Sequence, residues 1–135
     1  MAEEYVVKEQ LTQEMIEAGV QVTLKLDEIG LPVTAALWFL DDERYRWKMI
    51  VASPDTSTKG PFYVLTRIEE ALDLLGSAVS SEVPFSVMSA KSPTDSPIRW
   101  LREELQTGND ISRIRFRKRV AAGHIIEDAL IYRMS

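Results

Sequence analysis

Eight consecutive residues, Val33-Thr34-Ala35-Ala36-Leu37-Trp38-Phe39-Leu40, are nearly all apolar, and no other feature constrains the fold as much. The run is far too short to cross a bilayer, which takes about 20 such residues. It also lacks the alternation of a strand with one wet face. Both faces must be covered, so the run reads as a central strand with structure above and below it. A second strand is expected over 45–53, joined through a hairpin loop at Asp41-Asp42-Glu43-Arg44. A four-residue loop there sets Trp38 opposite Trp47.

Helices flank this pair. Leu11, Met15, Ala18, Val22, Leu26 and Ile29 recur at spacings of three and four, which puts them on one helical face. Thr12 is the expected N-cap, with Leu11 and Ile16 placed as a hydrophobic staple. Gly30 supplies a left-handed stop, and Pro32 prevents resumption. Pro61 suits a first helical position, with Leu65, Ile68, Leu72 and Leu75 as the buried stripe and Gly76 as the end. A third strand is expected over 83–89. A third helix follows, capped by Ser96, opened by Pro97 and closed by Gly108, with Ile98, Leu101 and Leu105 inward and Trp100 at the margin. Strands 111–121 and 124–133 finish the chain around a two-residue turn, Ala122-Gly123.

The expected fold class is α/β, strictly α+β: a mixed five-stranded sheet covered by three helices, in the order α-β-β-α-β-α-β-β. Strands joined through a helix are usually parallel, so the second, third and fourth are expected to share a direction. Leu37, Phe39, Leu65, Ile68, Leu72, Leu101, Ile114 and Phe116 form the expected core. The 135 residues suit one domain, 1–135, in which 1–10 stand apart as an arm and Tyr5-Val6-Val7 reads as a short strand or part of that arm.

The chain has no cysteine, which excludes zinc–cysteine sites, thiol catalysis and disulfides. The start lacks the basic region and apolar stretch of a signal peptide, so the cytoplasm is the expected compartment. Residues 1–98 carry 8 basic and 16 acidic side chains, whereas 99–135 carry 8 basic and 5 acidic. The first part repels polyanions; the second is the place to look for their binding.

No catalytic constellation stands out. His124 is the one histidine, and next to a turn it is expected to be exposed and mobile. Asp41, Asp42 and Glu43 lack the spacing of a calcium loop. Asp55 and Lys59 lack the second carboxylate of a nuclease site. No cofactor and no tightly held metal are expected. Two strand-to-helix loops carry Ser53, Thr56, Ser57, Lys59, Ser92 and Thr94, a candidate ligand cleft at the carboxyl ends of strands; the plainer reading is capping and turn chemistry.

The sharpest pattern is Arg113-Ile114-Arg115-Phe116-Arg117-Lys118-Arg119. In a strand, Arg113, Arg115, Arg117 and Arg119 share one face while Ile114 and Phe116 point to the core. Such a row grips phosphates or an acidic protein surface, pairs with the protein's own carboxylates, or blunts an edge strand. With 121 opposite 124, the register pairs Lys118 with Glu127 and sets Arg117 opposite Asp128. Asp128 is then the one carboxylate on the arginine face, so at least two arginines are expected to find partners outside the hairpin.

Two stretches resemble a family of small bacterial proteins without an assigned activity. The first runs from Leu31 to Phe39 and continues at Trp47 and Val51-Ala52-Ser53-Pro54. The second comprises Ile111-Ser112, Ile114-Arg115-Phe116, Gly123, Ile126-Glu127-Asp128-Ala129 and Ile131-Tyr132. The resemblance implies a globular domain and transfers no site; Arg113, Lys118 and Arg119 make this hairpin more basic than the family's.

The functional expectation is a small non-enzymatic domain that binds another protein or a second copy of itself, with no membrane involvement. Nucleic-acid or anion binding through the arginine hairpin is the alternative, and a small-molecule or phosphate site at the strand-to-helix loops is the second.

Overall fold

Helix α1, Gln13–Glu28, begins and ends as its flanking residues dictate. The Met15 amide donates to Thr12 Oγ1 at 3.1 Å, which caps the first turn. At the other end Gly30 takes φ +87°, and the amides of Gly30 and Leu31 bond back to Asp27 and Leu26, a Schellman closure. The structure, a computed structural model, describes residues 9–41 and 43–135; the expected arm segment Tyr5-Val6-Val7, and Asp42, lie outside them.

Strands β1 (Ala35–Asp41) and β2 (Arg46–Ala52) form the expected hairpin. The register differs from expectation, because β1 runs on through Asp41 and pairs it with Arg46. Trp38 therefore faces Met49, and Trp47 faces Leu40. A single-turn helix α2 (Asp55–Thr58) leads to α3 (Pro61–Leu75), with Pro61 in its first turn and Gly76 at its end. A second single turn, α4 (Ser77–Ser80), follows.

The expected strand over 83–89 is corrected: Phe85–Val87 form a 3-10 turn, and β3 is only Met88–Lys91. Pro84 fixes its own backbone and lacks a donor, which delays the start of the strand. Helix α5 spans Ile98–Glu104, with Pro97 just before it; Ser96 makes no side-chain cap. Gly108 does not close this helix but bridges to Met134. The chain ends in β4 (Ile114–Ala121) and β5 (His124–Met134).

These elements build a five-stranded mixed sheet, in the order β3-β2-β1-β5-β4, within an α+β fold. β2 and β3 are parallel, and every other neighbouring pair is antiparallel. β4 thus runs against β2 and β3 instead of with them. The physical reason is that β5 takes the slot beside β1 and leaves β4 as the far edge, so no parallel crossover joins β3 to β4.

The sheet divides the core in two. Helices α1 and α3 cover one face through Ile16, Val22, Leu26, Val64, Ile68 and Leu72, packed on Trp38, Trp47, Met49 and Tyr132. Helix α5 covers the other through Ile98 and Leu101, packed on Leu37, Ile50, Phe116 and Ile131. The residues expected to share one core therefore lie in two, and Ile114, in a strand with no other strand beyond it among the described residues, is 38% exposed. The buried side of α1 turns toward Ile16, Gly19 and Thr23, while Met15 and Ile29 are half-buried.

A bulge explains that rotation. Between Ala36 and Leu37 the β1–β5 register shifts by one, leaving Tyr132 as the extra residue of β5. Tyr132 and Arg133 both reach α1, which strict alternation forbids. Tyr132 Oη donates to the Ile16 carbonyl at 2.7 Å and accepts from Trp38 Nε1 at 2.8 Å. Arg133 grips both Asp27 oxygens at 2.8 Å and donates to the carbonyls of Asn109 and Val33.

Candidate functional site

The hairpin of β4 and β5 keeps the expected register: Ile114 opposite Ile131, Arg117 opposite Asp128, Ala121 opposite His124. Its turn is the two-residue Ala122-Gly123, both at positive φ, +49° and +80°. A left-handed alanine costs roughly 1–2 kcal/mol, which the cross-strand pairs on either side offset.

Lys118 breaks the alternation. It also sits at φ +49°, and the ladder passes from Arg117–Asp128 to Arg119–Ile126 without a Lys118–Glu127 pair. Beyond this irregularity the faces exchange. Arg119 lies over the ring of Phe116, 5.8 Å from its centroid, on the α5 side. The single row of four arginines is therefore corrected to three, Arg113, Arg115 and Arg117, on the α1 side, because one left-handed residue rotates the strand beyond it.

Each of the three meets a carboxylate. Arg115 binds Asp128 through Nε and Nη2 at 2.6 and 2.7 Å, and its guanidinium lies 5.5 Å from the Trp47 ring. Arg117 Nε stands 3.4 Å from the same carboxylate. Arg113 reaches outside the hairpin to Glu17 on α1, at 2.5 and 2.9 Å. These bonds raise the pKa of Arg113 and Arg115 above the ordinary guanidinium value, while Arg113 holds the Glu17 carboxyl below its own. No ion pair holds Lys118 or Arg119 among the described residues. Beside them Val120 and Ile125, paired across the strands, are 60% and 73% exposed. A cleft of about 410 Å³ adjoins the row, lined by Trp47, Arg115, Arg117 and Lys118 together with Glu127 and Asp128.

The loop residues come together only in part. Ser57 Oγ donates to Ser92 Oγ at 2.8 Å, and Ser92 Oγ lies 3.3 Å from Thr94 Oγ1. Ser53 is buried, its hydroxyl accepting from the Asp55 amide. Lys59 is 3.8 Å from Asp55 and lies over the Tyr63 ring, and the buried Thr56 Oγ1 has no hydrogen-bond partner among the described residues. Parallel pairing of β2 and β3 does bring the two loops side by side, but their hydroxyls mostly close turns and bond one another. At the first hairpin, Asp41 accepts from the Glu43 amide and pairs with Lys48 at 3.4 Å; despite partial burial, these hold its pKa down.

Two features lay outside the sequence reading. The exposed His124 ring stacks on Trp100, centroids 3.7 Å apart and planes 11° from parallel, so it is held in place. Nothing in the sequence links a turn residue to that helix. Arg133 was legible in principle, as a charge inside the apolar run Ile131-Tyr132-Arg133-Met134. Among the described residues no three acidic or histidine side chains gather as a metal group, and no helix is long and apolar enough to cross a membrane. No family model matches the chain, and no significantly similar curated protein or solved structure was found.

Proposed function

We propose that the protein is a small non-enzymatic binding module whose working surface is the β4–β5 hairpin and whose partner is an acidic protein. One observation supports this reading above the others: five of the seven residues from Arg113 to Arg119 are cationic on a chain of net charge −5. Two carboxylates answer three of them, and the remaining two flank an exposed apolar pair. Charge beside apolar surface is the composition of a docking patch. A protein suits it better than a polyphosphate, because the apolar Val120 and Ile125 beside Lys118 and Arg119 offer a protein side chain surface to bury and a phosphate none. In the same reading the module acts in the cytoplasm and belongs with the small bacterial proteins it resembles.

The test is capture from native lysate by the wild-type chain and by an Arg117→Gln, Arg119→Glu double variant, both on exposed side chains. A protein held by the first and released by the second, at equal melting temperature, supports the reading. Identical capture by both, or salt-dependent retention on heparin with no protein captured, overturns it; the latter favours nucleic acid.

A further inference from the structure

The two edges of the sheet are finished differently, and the difference bears on how a partner is held. β3 is four residues long and packs beside α3. A short strand offers little to an incoming chain. β4 runs eight residues and, among the described residues, pairs with β5 alone, and of residues 113–120 only Phe116 is buried. In an antiparallel pair, alternate residues bond the neighbour while those between them turn their N–H and C=O groups outward. Among the described residues no other segment bonds to these groups.

We infer that β4 is a strand-addition site, taking an extended segment of a partner in which acidic residues alternate with apolar or small ones. This rests on the protein-binding reading above and specifies its mode. The alternation comes from the edge itself: Arg113, Arg115 and Arg117 lie on the α1 side, with Ile114 and Phe116 between them on the other. An added strand sets its own alternate side chains against these two rows, so carboxylates meet the arginines and uncharged residues lie beside Ile114. Main-chain bonds hold the segment and the side chains select it. The left-handed Lys118 bends the edge, which limits straight pairing to residues 113–117.

A second copy of this chain is a poor occupant. Within the straight part of the edge, an antiparallel two-fold pairing of β4 with itself centred on Phe116 places Arg115 opposite Arg117. Centred on Arg115, it places Arg113 opposite Arg117 and Arg115 opposite its own copy. Like charges directly opposed across strands are destabilising.

The probe is a synthetic octapeptide alternating glutamate and threonine, followed by NMR and amide hydrogen exchange on the full chain. Binding slows exchange of outward amides between Ile114 and Arg117, weakens with salt, and is absent for the peptide with lysine in place of glutamate. The same acidic peptide N-methylated at every residue cannot donate to a strand edge and binds at least about tenfold more weakly. Equal binding of methylated and unmethylated peptides overturns strand addition while leaving a charge-driven hairpin surface intact. No preference for the acidic peptide over the lysine one, together with no effect of the Arg117→Gln, Arg119→Glu variant on capture, removes both.

Discussion

The two faces of the sheet are built on different scales. Under α1 and α3 the strands carry Trp38, Trp47, Met49, Leu130 and Tyr132, and the covering helices are 16 and 15 residues long. Under α5 they carry Ala35, Ala52 and Ala129 among Leu37, Ile50 and Ile131, and the cover is seven residues. Large side chains need long helices to close over them, whereas alanines let one short helix lie close to the sheet. The thick face is also tied by polar bonds, through Tyr132 and Arg133, so its helix has one seating. The thin face is held by apolar contact around a short helix, with Arg102 donating to the carbonyls of Pro93 and Ser135, and it should yield separately.

The strongest way to break the thick face is at Gly19. A Cβ built there comes 2.2 Å from Tyr132 Oη, an atom fixed by Trp38 and the Ile16 carbonyl. Gly19→Ala therefore forces out a doubly bonded hydroxyl. It is expected to destabilise by about 2–5 kcal/mol, overpacking and lost hydrogen bonds outweighing the better helix propensity of alanine. Urea unfolding measures the loss. Adding Tyr132→Phe to Gly19→Ala should cost less than Tyr132→Phe alone, since the hydroxyl is the nearest of the clashing atoms, although the ring carbons Cζ and Cε2 remain 2.7 and 2.8 Å from the new Cβ; additive costs would mean that the approach of the hydroxyl is not what makes glycine necessary.

On the thin face, Leu101→Ala is expected to cost about 2–3 kcal/mol, the lower part of the range for a buried leucine. Its signature is local. Hydrogen exchange at α5 amides should speed up while α1 and β1 keep their protection, because a seven-residue helix has little stability of its own. Uniform acceleration across both faces would show that the sheet does not separate them.

Much of this contrast was open to the sequence, and the exceptions have two causes. The Thr12 cap, the Gly30 stop and the final register arise from local signals, since side-chain hydroxyls, a glycine at positive φ and a two-residue turn act over a few residues. The near-continuous apolar run of β1 announced a strand covered on both sides, and it is one. The expectations that failed depend on distant partners or on a local backbone conformation that the residue type does not announce. The direction of β4 is set by where β5 docks, and the face of Arg119 is set by Lys118, a residue type with no preference for a left-handed backbone. The Tyr132 bulge is legible only once Gly19 is seen beneath it. The candidate site shows the same division: the arginine pattern is visible in the sequence, while the carboxylates that meet it lie 13 and 96 residues away.

Alkaline pH sharpens the comparison further, because it acts on the thick face through one atom. Burial raises the Tyr132 pKa well above its ordinary 10.0, with Trp38 opposing. The folded state thus favours the neutral phenol. The resulting stability is fully present below about pH 10, the unfolded value, and is lost as pH rises toward the folded one. Wild type and Tyr132→Phe should therefore converge in unfolding free energy by about 1.4 kcal/mol between roughly pH 9 and pH 11. A constant gap would mean that Tyr132 ionises while folded.

The smallest expected effect on stability lies where the thick face meets the β4 edge. Glu17 and Arg113 form an exposed pair between α1 and the hairpin, and such pairs are weak because water and salt screen them. Arg113 holds the Glu17 carboxyl below its ordinary value, partly against desolvation. What the pair contributes is thus present above that value and lost as pH falls through the lowered one. Glu17→Gln should leave the melting temperature at physiological salt unchanged, because no buried group loses a partner. It should nonetheless change binding. Removing that carboxylate frees Arg113 and raises the cation excess along β4, so the alternating glutamate–threonine peptide should bind about twofold more tightly, with steeper salt dependence. The two readouts separate two roles for the arginine row. A lower melting temperature with unchanged affinity marks Arg113 as a brace for α1; tighter binding at constant stability marks Glu17 as an internal competitor for the partner's carboxylates.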